Sequence, residues 1–233
     1  ARIRQENGRY VVSKGLDAGK DQSYVLWGLT QESLKRTIFP LQNFHKSEIK
    51  QMAIENGYAD LAAKSESYEI CFVPDNDYRR FLKRNVAGLE ERVKGGNFVL
   101  SDVPVVGKHQ GYPFYTIGQR KGLDIAMGKP IFVTNILPES NTVVIGEEHE
   151  LQKNEMLVKG LNMVKYETIP DGMEAVTKIR YRDPGTESVL TNVAGGLHVS
   201  FNHSVSSIAP GQSAVIYEGD DVVAGGIIQK EIN

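Results

Sequence analysis

Cys71 is the only thiol in 233 residues, and it stands in the run Tyr68-Glu69-Ile70-Cys71-Phe72-Val73. The thiolate is the nucleophilic form of cysteine. Chemistry at this position therefore needs a partly exposed cleft and a nearby cation, which Lys64 and the chain reversal at Pro74-Asp75 could supply. Ile70, Phe72 and Val73 would instead bury the side chain as a small hydrophobe, the commoner state of a free cysteine. The local sequence leaves both alternatives open.

A second group is Lys178-Ile179-Arg180-Tyr181-Arg182. On a strand, alternation would set Lys178, Arg180 and Arg182 on one face. Such a stripe can follow a phosphate backbone while a neighbouring Tyr or Arg stacks on bases. The ordinary alternative is a solvated outer face. The stretch Gly15-Leu16-Asp17-Ala18-Gly19-Lys20-Asp21 invites comparison with a phosphate-binding loop. Its glycines are one residue too close, and Asp21 stands where Ser or Thr would hold magnesium, so it reads as a Gly-rich turn before a strand-like Ser23–Trp27. His198 and His203 are an odd number apart and would face opposite sides of a strand, so they do not converge on a metal. His45, His109 and His149 form no ligand spacing and read as solvated or turn histidines.

The elements that must position these residues follow from composition and period. A content of 40% hydrophobic and 24% charged residues in 25.8 kDa is that of a globular chain with room for two or three small domains. One cysteine excludes an internal disulfide and a multi-thiolate metal site, and places the chain in a cytoplasmic, reducing compartment. Apolar runs such as Ile131-Phe132-Val133 are far too short for a bilayer, so no membrane partner is expected. Residues 1–122 carry 19 Lys and Arg against 14 Asp and Glu, whereas residues 123–233 carry 8 against 15. A mildly basic first half is compatible with a polyanion.

Thr30 is placed to cap a short helix, stapled by Leu29 and Leu34 and ended by Phe39-Pro40. A second helix is expected from about Ser47 to Asn56, with Ile49, Met52 and Ala53 on one face and Gly57 as its stop. A third follows Pro74-Asp75-Asn76, where Tyr78, Phe81 and Leu82 repeat at helical spacing. Beyond Gly95 the period becomes that of strands: Phe114–Ile117, Ile131–Ile136 and Thr142–Ile145. Glu174–Arg182, Ser188–Val193, Leu197–Asn202, Ala214–Tyr217 and Val222–Ile228, with turns at Ala194-Gly195-Gly196 and Glu218-Gly219-Asp220-Asp221, suggest a small antiparallel barrel.

Several blocks, taken in order, resemble the tRNA-specific 2-thiouridylase (MnmA/TrmU) family. They are Gly19-Lys20-Asp21-Gln22-Ser23-Tyr24, Phe39-Pro40-Leu41, Ile70-Cys71-Phe72, Tyr115-Thr116-Ile117-Gly118-Gln119-Arg120-Lys121-Gly122-Leu123, Pro210-Gly211-Gln212 and Gly225-Gly226-Ile227-Ile228. The resemblance implies an α+β, mostly β chain. Residues 1–76 would be the tail of an adenine-nucleotide α-hydrolase-like α/β domain, 77–153 a small central α+β domain and 154–233 an antiparallel β-barrel. The family's Ser-Gly-Gly-x-Asp-Ser loop for ATP and its first catalytic cysteine have no counterpart in these residues. The expectation is therefore a truncated chain, inactive by itself.

In the family, ATP adenylates the position-2 carbonyl of the anticodon wobble uridine, and a cysteine persulfide then supplies sulfur, an activated nucleophile displacing AMP. Cys71 matches the persulfide-carrying catalytic cysteine. Lys20, Asp21 and Gln22, Arg180 and Tyr181, and Gln212 match segments that contact tRNA, which would be braced by the barrel while the target base is flipped. A sulfur-donor or carrier protein is the implied second partner. Where the family commonly has Ser-Thr-Gly before the cysteine, Ser67-Tyr68-Glu69 stands here, and Glu69 adds negative charge beside a prospective thiolate. The competing reading is a non-catalytic RNA-binding β-barrel module in which Cys71 only packs.

Overall fold

A computed structural model describes residues 1–64, 73, 75, 77–101 and 103–229. They pack as two units, one formed by residues 1–64 with the chain from 153 onward, the other by the stretch between. Cys71, and the Ser67-Tyr68-Glu69 and Ile70-Phe72 residues around it, lie outside the described residues.

The first unit opens with a hairpin of β1 (Arg2–Glu6) and β2 (Arg9–Ser13). Asn7 and Gly8 both take positive φ, 48° and 79°, as a two-residue type I′ turn requires. Ser23–Trp27 is not a strand: Ser23–Leu26 forms a 3₁₀ turn. The cause is local, because the Asp21 carboxylate accepts from both the Ser23 N–H (3.2 Å) and the Ser23 hydroxyl (2.5 Å), which bends the backbone away from extension. Helix α1 (Gln31–Lys35) begins as expected at Thr30, whose hydroxyl accepts from the Ser33 N–H, and Leu34 is fully buried beneath it. It ends at Arg36, well before Phe39-Pro40. Helix α2 (Lys46–Glu55) stops at Gly57, with φ 85°, but it and α3 (Ala59–Ala63) bury no residue.

In the second unit, Asp77 caps α4 (Tyr78–Asn85), its carboxylate accepting from the Arg80 N–H at 2.9 Å, and α5 (Leu89–Val93) follows. A four-stranded sheet runs in the order β4 (Val103–His109), β3 (Gly96–Leu100), β6 (Thr142–Gly146), β5 (Phe132–Leu137), with β3 and β6 parallel and the rest antiparallel. Phe98, Phe114, Val133, Val143 and Ile145 are its fully buried centre. Phe114–Ile117 is no strand: Tyr112–Phe114 is a 3₁₀ turn with Pro113 in its first positions, where a missing N–H costs nothing. His109 is no solvated residue either. It is 5% exposed, its Nδ1 accepting from the Gly111 N–H at 3.0 Å and its ring edge-on to Phe98, and burial pushes its pKa down.

The first unit is completed by β7 (Gln152–Met163), β8 (Met173–Lys178), β9 (Thr186–Val193), β10 (Gly196–Ser206), β11 (Ser213–Glu218) and β12 (Asp221–Ile228). These six close into an antiparallel barrel, because β12 pairs with β7 as well as β11, and the β1–β2 hairpin extends the sheet from β12. Strand β11 shows how the hairpin segment is held. Ala214 and Ile216 point into the barrel with Val158, Leu190, Leu197 and Val199, whereas Val215 and Tyr217 point outward onto Val12, Tyr24 and Leu34. Both faces are covered, so Ala214–Tyr217 reads as an unbroken apolar run. Gly225 on β12 belongs to the same contact, since a Cβ there would lie 2.5 Å from Cγ of Trp27.

Candidate functional site

The six residues expected to touch tRNA lie on three segments, all of them in the first unit. The loop Gly15–Gln22 is organised from within by two carboxylates. Asp17 accepts from the Gly19 N–H (3.1 Å) and the Lys46 N–H (2.9 Å), and Asp21 from the Gly15 N–H (2.7 Å) as well as from Ser23. Burial raises the Asp21 pKa, but its hydrogen bonds with Ser23 and Gly15 outweigh that and hold the carboxyl below its usual range. Asp21 thus faces inward as a brace, while Lys20 and Gln22 on either side are exposed.

The brace continues into the barrel. The Ser23 hydroxyl, fully buried, lies 3.0 Å from the Tyr217 hydroxyl, and burial pushes the Tyr217 phenol up to about 12. The Tyr24 hydroxyl donates to the Ser213 carbonyl at 2.8 Å, the residue after Gln212. Trp27 adds a second tie, its indole N–H donating to the Ser213 hydroxyl at 3.0 Å.

The basic run lies elsewhere than alternation suggested. Strand β8 ends at Lys178, and residues 179–182 turn. Asp183 makes the turn: its carboxylate accepts from the Ile179 N–H (2.8 Å) and the Gly185 N–H (3.1 Å), which takes the backbone out of the ladder. Ile179 is buried, and Arg180, Tyr181 and Arg182 are all exposed rather than split between two faces. Tyr181 leans across to the first loop, its hydroxyl donating to the Asp21 carbonyl at 2.9 Å and its ring edge-on to Tyr24 at 6.2 Å. Chain neighbours therefore bring Lys20–Gln22, Arg180–Tyr181 and Gln212 to one part of the unit. Among the described residues, the Gln22, Arg180 and Gln212 side chains make no hydrogen bond within the chain. They are exposed groups with free donors, suited to a polar ligand.

This loop cannot double as a nucleotide cradle. The backbone N–H groups a phosphate would need, those of Gly15, Gly19 and Ser23, already serve carboxylates. Sequence reasoning missed Ser23, Tyr24 and Tyr217, which fix the geometry. The polar Ser23 beside an aromatic, together with Tyr217 in an otherwise aliphatic strand, is the signal that marks them.

Three family models match the chain in succession: a tRNA methyl transferase HUP domain over residues 1–75, a tRNA methyl transferase PRC-barrel domain over 79–147 and an aminomethyltransferase β-barrel domain over 153–228. Among similar proteins, the tRNA-specific 2-thiouridylase MnmA of Cytophaga hutchinsonii is 58% identical over 98% of this chain and 62% of that protein. The MnmA proteins of Amoebophilus asiaticus and Salinibacter ruber are 56% and 51% identical over 98% of the chain, covering 61% and 60% of their own lengths. The chain thus spans about three-fifths of the length of the curated relatives it matches. With all three domains in order and this extent of identity, the chain belongs to the tRNA-specific 2-thiouridylase family.

Proposed function

We propose that the protein takes part in ATP-dependent 2-thiolation of the wobble uridine of tRNA. Its first unit holds the RNA and Cys71 carries the transferable sulfur as a persulfide. The observation that carries this reading is the convergence of Lys20–Gln22, Arg180–Tyr181 and Gln212. These are three segments far apart in sequence, tied together by the Tyr181–Asp21 and Tyr24–Ser213 hydrogen bonds. Arg180 and Lys20 would neutralise phosphates, Gln22 and Gln212 would offer amide hydrogen bonds, and Asp21 would act by holding the loop. A sulfur-donating carrier protein is the second partner in this reading, and the cytoplasm, where tRNA is modified, its setting. Among the described residues no helix is long and apolar enough to cross a membrane.

Replacing Arg180 with Ala is expected to weaken binding of a tRNA anticodon stem-loop by about 1–3 kcal/mol, with a shallower salt dependence if its partner is a phosphate. Fluorescence anisotropy at several salt concentrations measures both. An unchanged affinity would remove Arg180, and the turn that carries it, from the interface.

The Gly15–Gln22 loop does not fit a nucleotide phosphate, because its N–H groups are occupied by Asp17 and Asp21. ATP is accordingly assigned to the part of the relatives that this chain does not match. Calorimetry of the 233-residue chain should show no saturable ATP binding in the micromolar range. A saturable isotherm there would contradict the assignment.

A further inference from the structure

Lys178 stands apart from the other cations of the first unit. It sits on β8 beside Val176, on the barrel face that packs under the hairpin segment, and is partly buried. Its ammonium lies 6.0 Å from the centroid of the Tyr217 ring, and that of Lys14 lies 5.0 Å from the same centroid. The ring itself is fixed through its hydroxyl to Ser23. Lys14 has partners at the edge, donating to the Gly219 carbonyl at 3.1 Å and facing Asp220 at 3.6 Å. Among the described residues Lys178 has neither a hydrogen bond nor a carboxylate at ion-pair distance.

The nearby acids are spoken for. Asp183 holds the Ile179 and Gly185 N–H groups, and Asp21 holds Gly15 and Ser23. Two ammonium groups over one ring, one of them without an anion, form an arrangement that an added anion would relieve. The position selects the anion, because Lys178 is two residues before Arg180 on the chain that runs into the exposed turn.

Building on the RNA-binding reading above, we propose that Lys178, assisted by Lys14, grips a backbone phosphate of the bound RNA. Burial first, and then the charge of Lys14, lower the Lys178 pKa against the opposing pull of Asp183 and Asp21.

The test uses the 233-residue chain and an anticodon stem-loop RNA. Acetylation of the unaltered chain, read by mass spectrometry with and without RNA, should show Lys178 protected by RNA at least several-fold. The K178Q variant, with its melting midpoint checked, should bind roughly three- to tenfold more weakly, with the slope of log affinity against log salt reduced by about 0.7–1. Equal acetylation in both states, or protection with an unchanged slope in K178Q, would overturn the phosphate contact while leaving the RNA-binding reading standing. Absence of salt-dependent RNA binding by the unaltered chain would overturn both.

Discussion

Asp221→Ala should lower the melting midpoint of the first unit by roughly 6–12 °C, the equivalent of about 3 kcal/mol for a unit of this size. Asp221 is 8% exposed and joins three parts of the unit. Arg4 of the hairpin binds it with both terminal nitrogens, at 2.7 and 2.8 Å, Ser13 donates to it at 2.7 Å, and Lys165 donates to it at 2.8 Å while also pairing with Glu218. Removing the carboxylate leaves two cations facing each other with half their partners gone, and truncating one member of a shielded pair costs more than the pair contributes. The loss should appear as faster amide exchange in Arg2–Ser13, the segment the carboxylate ties to the barrel. A melting midpoint within about 2 °C of the parent, a loss of roughly 1 kcal/mol or less for a unit of this size, would mean that the apolar contacts of Val12, Tyr24 and Leu34 suffice.

The same group sets an acid limit. Hydrogen bonds from Arg4, reinforced by Lys165 and Ser13 against the opposing effect of burial, hold the Asp221 pKa well below the usual carboxylate range. A depressed carboxyl contributes stability that is present above its unfolded pKa, about 3.9, and is lost as pH falls through its folded value. The Asp221→Asn variant should therefore lack part of the parent's loss of stability below pH 4.

Cys71→Ser should reduce tRNA 2-thiolation by more than about a thousandfold, as removal of a covalent nucleophile does elsewhere. Serine nearly preserves the volume but its oxygen cannot carry a transferable sulfur, so the variant should fold and bind RNA as the parent does. Thiolated uridine, measured by mass spectrometry in tRNA from cells that depend on this protein for it, separates the alternatives. Near-normal thiolation would return Cys71 to a packing role.

How much of this was legible depends on whether the determining contacts were local. The Thr30 cap, the Gly57 stop and the alternation that builds β9 to β12 are decided within a few residues, and the structure agrees there. The Asn7-Gly8 hairpin was equally local, although the expectations left it out. Ser23–Leu26 and Arg180–Arg182 were misread for one reason. Each looks extended by composition, yet an aspartate, Asp21 or Asp183, captures nearby backbone N–H groups and turns the chain. His109 is buried by Phe98 and Tyr115, neither of them adjacent to it in sequence. The site residues came from resemblance; their convergence rests on the Tyr181–Asp21 and Tyr24–Ser213 bonds, which span 160 and 189 residues and leave no trace in spacing.

Ultraviolet cross-linking of the 233-residue chain to a tRNA with an unmodified wobble uridine, mapped by mass spectrometry, locates the RNA on the chain. Cross-links are expected in the peptides that contain Lys20–Gln22, Arg180–Tyr181 and Gln212, competed away by unlabelled anticodon stem-loop. Cross-links confined to other parts of the chain, with these three segments unmodified at saturating tRNA, would contradict it.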